Sequence, residues 1–145
     1  MPGAAEPYGS GATLVFDTSA WNRQREPTVA ARWQATLAAD RLLAVCPVVA
    51  LELLAGARDE DAFRGLDQTL SALPQAPVTR ATCERAISAS RDLAGSRRLP
   101  ATDYLIAAAA AERGFGVLHY DKHFDVLCSV LGIASVLVAP FGTLD

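Results

Sequence analysis

The sequence predicts an α/β fold in which a mostly parallel central sheet is flanked by helices on both faces. Three observations carry that expectation. Short β-rich apolar runs, of which Thr13–Phe16 and Gly116–Tyr120 are the clearest, punctuate the chain. Segments of helical period lie between them, as the connections of parallel strands require. Finally, 145 residues with 51% hydrophobic and only 20% charged side chains suit one domain with a closed core and exclude a disordered polyelectrolyte.

Met1 to Gly11 is rich in Pro, Gly and Ala without any period, so residues 1–11 are expected to form a flexible leader before a single domain over 12–145. Thr13 to Phe16 reads as a central buried strand ending at Asp17. Thr28 to Asp40 is helical, with Val29, Trp33, Thr36 and Leu37 recurring on one side. Leu42 to Cys46 suits a second strand, although so short a run is also compatible with helix. Pro47 then fits a first helical turn, and Val48 to Ala57 continues as an apolar helix. Asp59 to Leu73 is a further helix with Phe63, Leu66 and Leu70 on one face, stopped by Pro74.

Ala76 to Val78 contains proline, so it is expected only as a brief edge strand. Thr79 or Thr82 caps a helix that runs to about Ala94, with Ala86, Ile87, Ser90 and Leu93 as its apolar side. Gly95 to Pro100 is a loop. Thr102 to Arg113 is an alanine-rich helix closed by Gly114, its small side chains suited to close packing on a sheet. Gly116 to Tyr120 is a strand, Lys122 to Leu131 a short helix, and Ser135 to Ala139 a last strand.

Sixteen acidic and thirteen basic residues leave a net charge of −3, so no global positive field recruits nucleic acid. The longest charge-free apolar stretch, Leu42 to Leu51, falls short of the ~18–20 residues that span a bilayer. Met1 to Glu6 has neither a basic region nor an apolar run, so the expectation is a cytoplasmic protein with no signal peptide and no membrane partner. Cys46, Cys83 and Cys128 are an odd number at irregular spacing, expected as reduced, buried thiols. His119 and His123 stand four apart without the HExxH context of a zinc site.

The informative feature is the isolation of certain carboxylates. Asp17 is the only formal charge between Glu6 and Arg23, Glu52 the only one between Arg41 and Arg58, and Asp103 the only one between Arg98 and Glu112. Each stands in sequence that otherwise reads as core. An ionised carboxylate buried without compensation costs several kcal/mol. A first-turn position accounts for Asp103 and an N-cap for Asp17, but neither accounts for Glu52 inside its helix. Convergence of the three on a divalent cation accounts for all.

Position supports convergence. Asp17 and Asp121 each follow a strand, and ligands of open parallel sheets lie beyond the carboxyl ends of strands. Asp103 opens the helix before the second of these strands, and Glu52 faces whatever its own helix packs upon. Asp125 stands in reserve, one turn after Asp121. All-oxygen ligation without His or Cys selects Mg²⁺, with Mn²⁺ as substitute, over zinc.

Four blocks, in order, make the pattern recognisable: Val15-Phe-Asp17-Thr-Ser19, Val49-Ala-Leu-Glu52-Leu-Leu-Ala-Gly56, Leu99-Pro-Ala-Thr-Asp103-Tyr-Leu-Ile-Ala-Ala108 and Val117-Leu-His-Tyr-Asp121-Lys-His-Phe124. The chain resembles the PIN-domain toxins of the VapC type, from bacterial type II toxin–antitoxin systems, over Thr13 to Ala139. The resemblance implies a PIN-like parallel sheet between helices and a Mg²⁺-dependent endoribonuclease that inhibits translation and growth. It also implies a homodimer and inhibition by a cognate VapB-type antitoxin. Asp17, Glu52, Asp103 and Asp121 fall on the family's acidic quartet, and Thr18 or Ser19 on the hydroxyl beside the first acid.

Two positions depart from the pattern. Tyr120 stands where many relatives have a hydroxyl residue before the last acid, and His123 where many carry a further acid. The second metal position is then weaker, or Asp125 partly replaces the missing acid. In the implied mechanism Asp17, Asp103 and Asp121 bind metal, while Glu52 holds a second ion or orients the attacking water, giving 5′-phosphate and 3′-hydroxyl ends. Arg23, Arg25, Arg97 and Arg98 are the candidates for holding RNA.

Other classes fit less well. A phosphoacceptor receiver needs an acidic pair where Phe16 precedes Asp17, and no GxxxxGK[ST] phosphate loop occurs. The remaining alternative is a catalytically inactive PIN-fold protein that binds RNA or a partner without cutting.

Overall fold

The computed structural model describes residues 13–38, 42–94 and 98–139; the expected leader, Arg97 and the end of the first long helix at Asp40 lie outside them. Among the described residues four strands form one sheet in the order β2-β1-β3-β4, with β1 at Leu14–Phe16, β2 at Leu43–Ala44, β3 at Gly116–His119 and β4 at Ser135–Leu137. Every pairing is parallel: Val15 stands opposite Ala44 on one side and Val117 on the other, and Leu118 opposite Val136. All of β1 and β3 is buried, as interior strands of a parallel sheet should be.

Helices make every connection. The first strand is followed by α1 (Thr18–Asn22) and α2 (Pro27–Ala38), and the second by α3 (Pro47–Ala55), α4 (Glu60–Ser71), α5 (Arg80–Leu93) and α6 (Ala101–Glu112). The third strand leads through α7 (Lys122–Leu131) to the last. Phe16 stacks on Trp21 at 5.1 Å between ring centres and meets Trp33 at 5.4 Å, which fixes α1 and α2 against the central strand. Ala107 to Ala110 of α6 are fully buried; their short side chains let that helix lie close in the core. Gly116 begins β3 where a Cβ would come within 2.9 Å of the Ala134 carbonyl oxygen and the Leu14 side chain, so only glycine fits there. No described helix is long and apolar enough to cross a membrane.

The capping reading holds: Thr79 caps α5 and forms a reciprocal capping box with Thr82. Several expectations need correcting. Ala76 to Val78 makes no strand: an isolated bridge pairs Val45 with Gln75 just before it, and Pro77 interrupts further pairing. The helix α1 was not foreseen. Ile87 is 51% exposed rather than part of the buried side of α5, which is instead Thr82, Ala86, Ala89 and Leu93. Cys46 and Cys128 are buried free thiols as expected, but Cys83 is exposed.

Candidate metal centre

The carboxyl ends of β1 and β3 are adjacent, and two of the acids emerge there. The Asp17 amide donates to the Leu118 carbonyl (3.1 Å), so Asp17 leaves the sheet beside the end of β3. Its side chain turns back to cap α1, with Oδ1 accepting from the Ala20 amide at 3.0 Å. The Ser19 hydroxyl lies 2.7 and 2.8 Å from the two carboxylate oxygens, and itself accepts from the Tyr120 amide at 2.9 Å. Ser19 therefore ties the first acid to the turn that carries Asp121.

Asp121 repeats the design at the other strand, capping α7 by accepting from the His123 amide at 2.9 Å. Asp103 arrives from a third element, the first turn of α6. Asp17, Asp103 and Asp121 thus all sit at helix starts, where unpaired backbone N–H groups favour negative charge. Asp17 does serve as an N-cap and feels the charge of Asp121, though it is not one of the three side chains that meet most closely.

The cluster is tight. His123 Nδ1 lies 2.9 Å from Asp103 Oδ2 and 3.3 Å from Asp121 Oδ1. Among the described residues Asp103, Asp121 and His123 offer ligating atoms all within 4.8 Å of one another. Asp17 is 4% exposed, and burial pushes its carboxyl up to about 6 against the pull of the Ser19 and Ala20 hydrogen bonds, with Asp121 repulsion adding to the rise. Burial also raises Asp103; the hydrogen bond from His123 opposes that, and the charges of Asp121 and Glu52 reinforce it. Burial and mutual repulsion make full ionisation costly here. A divalent cation reverses both, so the donor set fits one.

The remaining expected residues stand differently. Glu52 is exposed on α3, not packed against the core, and accepts a hydrogen bond from the Thr18 hydroxyl at 2.9 Å. That bond brings it to the α1 side of the cluster, where its charge acts on Asp103. Asp125 is not one of the trio and accepts from the Ser135 hydroxyl at 2.7 Å. Thr18 and Ser19 divide the hydroxyl duties, one to Glu52 and the other to Asp17. Arg25 and Arg98 are exposed, and the Arg23 guanidinium lies over the Tyr120 ring at 4.8 Å.

Two histidines that sequence reasoning set aside belong to this region. The all-oxygen donor set expected from the sequence omits His123, whose Nδ1 stands among the acids. The signal was available, since a residue two past a helix-capping acid is held in the first turn beside it. His119 is fully buried, with Nδ1 accepting from the Asp121 amide at 3.1 Å and Nε2 lying 2.7 Å from the Ser135 hydroxyl. Burial lowers its pKa to about 4, so at neutral pH it is the Nε2–H tautomer. Hydrogen bonds then run in one direction, from the Asp121 amide through His119 and Ser135 to Asp125.

Comparison with known proteins agrees with this architecture. The PIN domain family matches residues 14–129. The chain is similar to ribonuclease VapC18 of Mycobacterium tuberculosis, 37% identical over 138 residues, covering 90% of this chain and all of that protein. Among solved structures it is similar to VapBC-5, a member of the VapBC family of toxin–antitoxin systems from Mycobacterium tuberculosis. That match has 25% identity and a TM-score of 0.57, covering 87% of this chain and 97% of the other. VapBC2 of Rickettsia felis, solved bound to a DNA fragment from its promoter, shares the fold at 16% identity with a TM-score of 0.70, covering 86% and 98% of the two chains.

Proposed function

The chain belongs to the PIN-domain family, and on that premise we propose that it is a divalent-metal-dependent endoribonuclease, the toxin of a VapBC-type toxin–antitoxin pair. The observation that carries the reading is the meeting of Asp103 and Asp121 from separate elements at one sheet edge, with Asp17 buried behind them. One domain over residues 12–145 bears the activity.

Asp17, Asp103 and Asp121 would hold Mg²⁺, with Mn²⁺ able to replace it. Such a cation supplies charge that polarises a phosphate and acidifies a nearby water. The chain's own groups do the rest. Ser19 locks the Asp17 carboxylate by contacts to both oxygens. Glu52, exposed and steadied by Thr18, takes the proton of the attacking water as the new O–P bond forms. The P–O3′ bond breaks in the same displacement and the departing O3′ takes a proton from solvent, leaving a 3′-hydroxyl and a 5′-phosphate. Arg25 follows α1 and Arg98 precedes α6, so both flank acid-bearing segments and are positioned to neutralise RNA phosphates.

The proposed partners are an RNA substrate, a VapB-type antitoxin and a second copy of the chain, in the cytoplasm. RNA cleavage there would inhibit translation and growth. The test is incubation of total RNA with the purified chain in Mg²⁺ or Mn²⁺ against EDTA, followed by mapping of the new ends. Cation-dependent cuts with 5′-phosphates are expected. Intact RNA in the presence of cation would leave a PIN-fold protein that binds RNA or a partner without cutting.

A further inference from the structure

The metal reading above gives His123 no role, yet its ring stands among the acids. Nδ1 is 2.9 Å from one Asp103 oxygen and 3.3 Å from one Asp121 oxygen. Neighbouring ligands of an octahedral ion with bonds of ~2.1 Å lie about 3.0 Å apart, so Nδ1 already stands at the spacing of an adjacent donor from each of the two carboxylates, and all three ligating atoms lie within 4.8 Å of one another. The ring is anchored there, because the His123 amide is bonded to the Asp121 carboxylate that caps the same helix. Its side chain is 40% exposed, which leaves room for the tautomer that presents the Nδ1 lone pair.

We infer that His123 is a direct ligand of the cation, and that its imidazole biases the site toward Mn²⁺ over Mg²⁺. The inference rests on the metal-dependent reading of this site and deepens it. Mg²⁺ is a hard ion that favours oxygen and parts reluctantly with water, whereas Mn²⁺ tolerates a mixed set of carboxylate and imidazole. An acid in place of His123 would restore an all-oxygen set and remove the bias.

Pulsed electron paramagnetic resonance of the Mn²⁺-loaded full-length chain tests this without reference to catalysis. Wild type is expected to show ¹⁴N modulation from a coordinated imidazole, absent in His123→Asp and in His123→Gln. His119 is a poor alternative source, since both of its ring nitrogens are engaged within the fold. Mn²⁺ affinity from the free-ion signal, and Mg²⁺ affinity by competition, should give a Mn²⁺-to-Mg²⁺ preference that falls about tenfold or more in His123→Asp. Mn²⁺ bound by wild type without ¹⁴N coupling, or a preference unchanged in the variant, overturns the inference while leaving the metal site intact. Failure of wild type to bind either ion overturns the metal site and the inference together.

Discussion

Asp17 carries an electrostatic cost that a cation would relieve, and pH exposes it. Its carboxyl rises from 3.8 to about 6 in the folded chain, chiefly through burial. Below about pH 4 the group is protonated folded or unfolded, and no penalty exists. Between there and about 6 the unfolded chain ionises first, so folding stability is lost as pH rises; above 6 the full penalty of ~3 kcal/mol remains. In EDTA, Asp17→Asn should therefore be more stable than wild type by up to ~3 kcal/mol at pH 7. The gap should close by pH 4. Urea titrations at the two pH values check this, and an equal difference at both would refute it. Glu52 is the contrasting case. Being exposed, Glu52→Gln should shift stability by less than ~0.5 kcal/mol yet slow RNA cleavage ~10²-fold as a missing base; a fully active variant would return Glu52 to ordinary surface. Isolation in apolar sequence drew attention to the acids but misjudged this one's burial, since Glu52 is exposed. In α3 only Val49 and Leu53 are buried, while Leu51 is 69% exposed, so an apolar neighbourhood in sequence was not an apolar environment in space.

The element that organises the site is the turn from β3 into α7, braced by β4. Its support is the chain of hydrogen bonds from the Asp121 amide through buried His119 to Ser135. Ser135→Ala would leave the His119 Nε2–H without its acceptor, at a cost of ~1–3 kcal/mol. Ser135→Thr keeps the hydroxyl and should recover most of that; equal losses in denaturant midpoint for both variants would contradict the relay. Much at this scale was readable beforehand. The bounds of α7 match the expectation at both ends, since Asp121 supplies an N-cap and Gly132, at φ 71°, a left-handed stop. The helix α1 escaped because its five residues are too few for a period to show. The supposed edge strand failed because Pro77 has no N–H with which to continue the pairing that Gln75 begins. His119 and His123 share helical spacing, but one ends a strand and the other starts a helix, so the interval between them carried no meaning.

Across the whole molecule, adjacency of β1 and β3 in a parallel sheet turns acids over a hundred residues apart into neighbours. The shared edge was legible from the alternation of strands and helices, which implies a parallel sheet; the adjacency of β1 and β3 within it was not. Among the described residues Leu51, Phe63 and Ile87 are exposed apolar side chains, area available for association. Light scattering of the free chain at micromolar concentration should report a dimer; a stable monomer would contradict that part of the proposal. The central claim concerns the joint site, and Asp103 tests it most directly. It enters from its own helix, and an amide keeps its shape while removing its charge. With saturating Mn²⁺ or Mg²⁺, purified Asp103→Asn should fold like wild type and cut RNA at least ~10³-fold more slowly, the loss of a charge that stabilises the transition state. Cleavage at the wild-type rate by that folded variant would contradict the account.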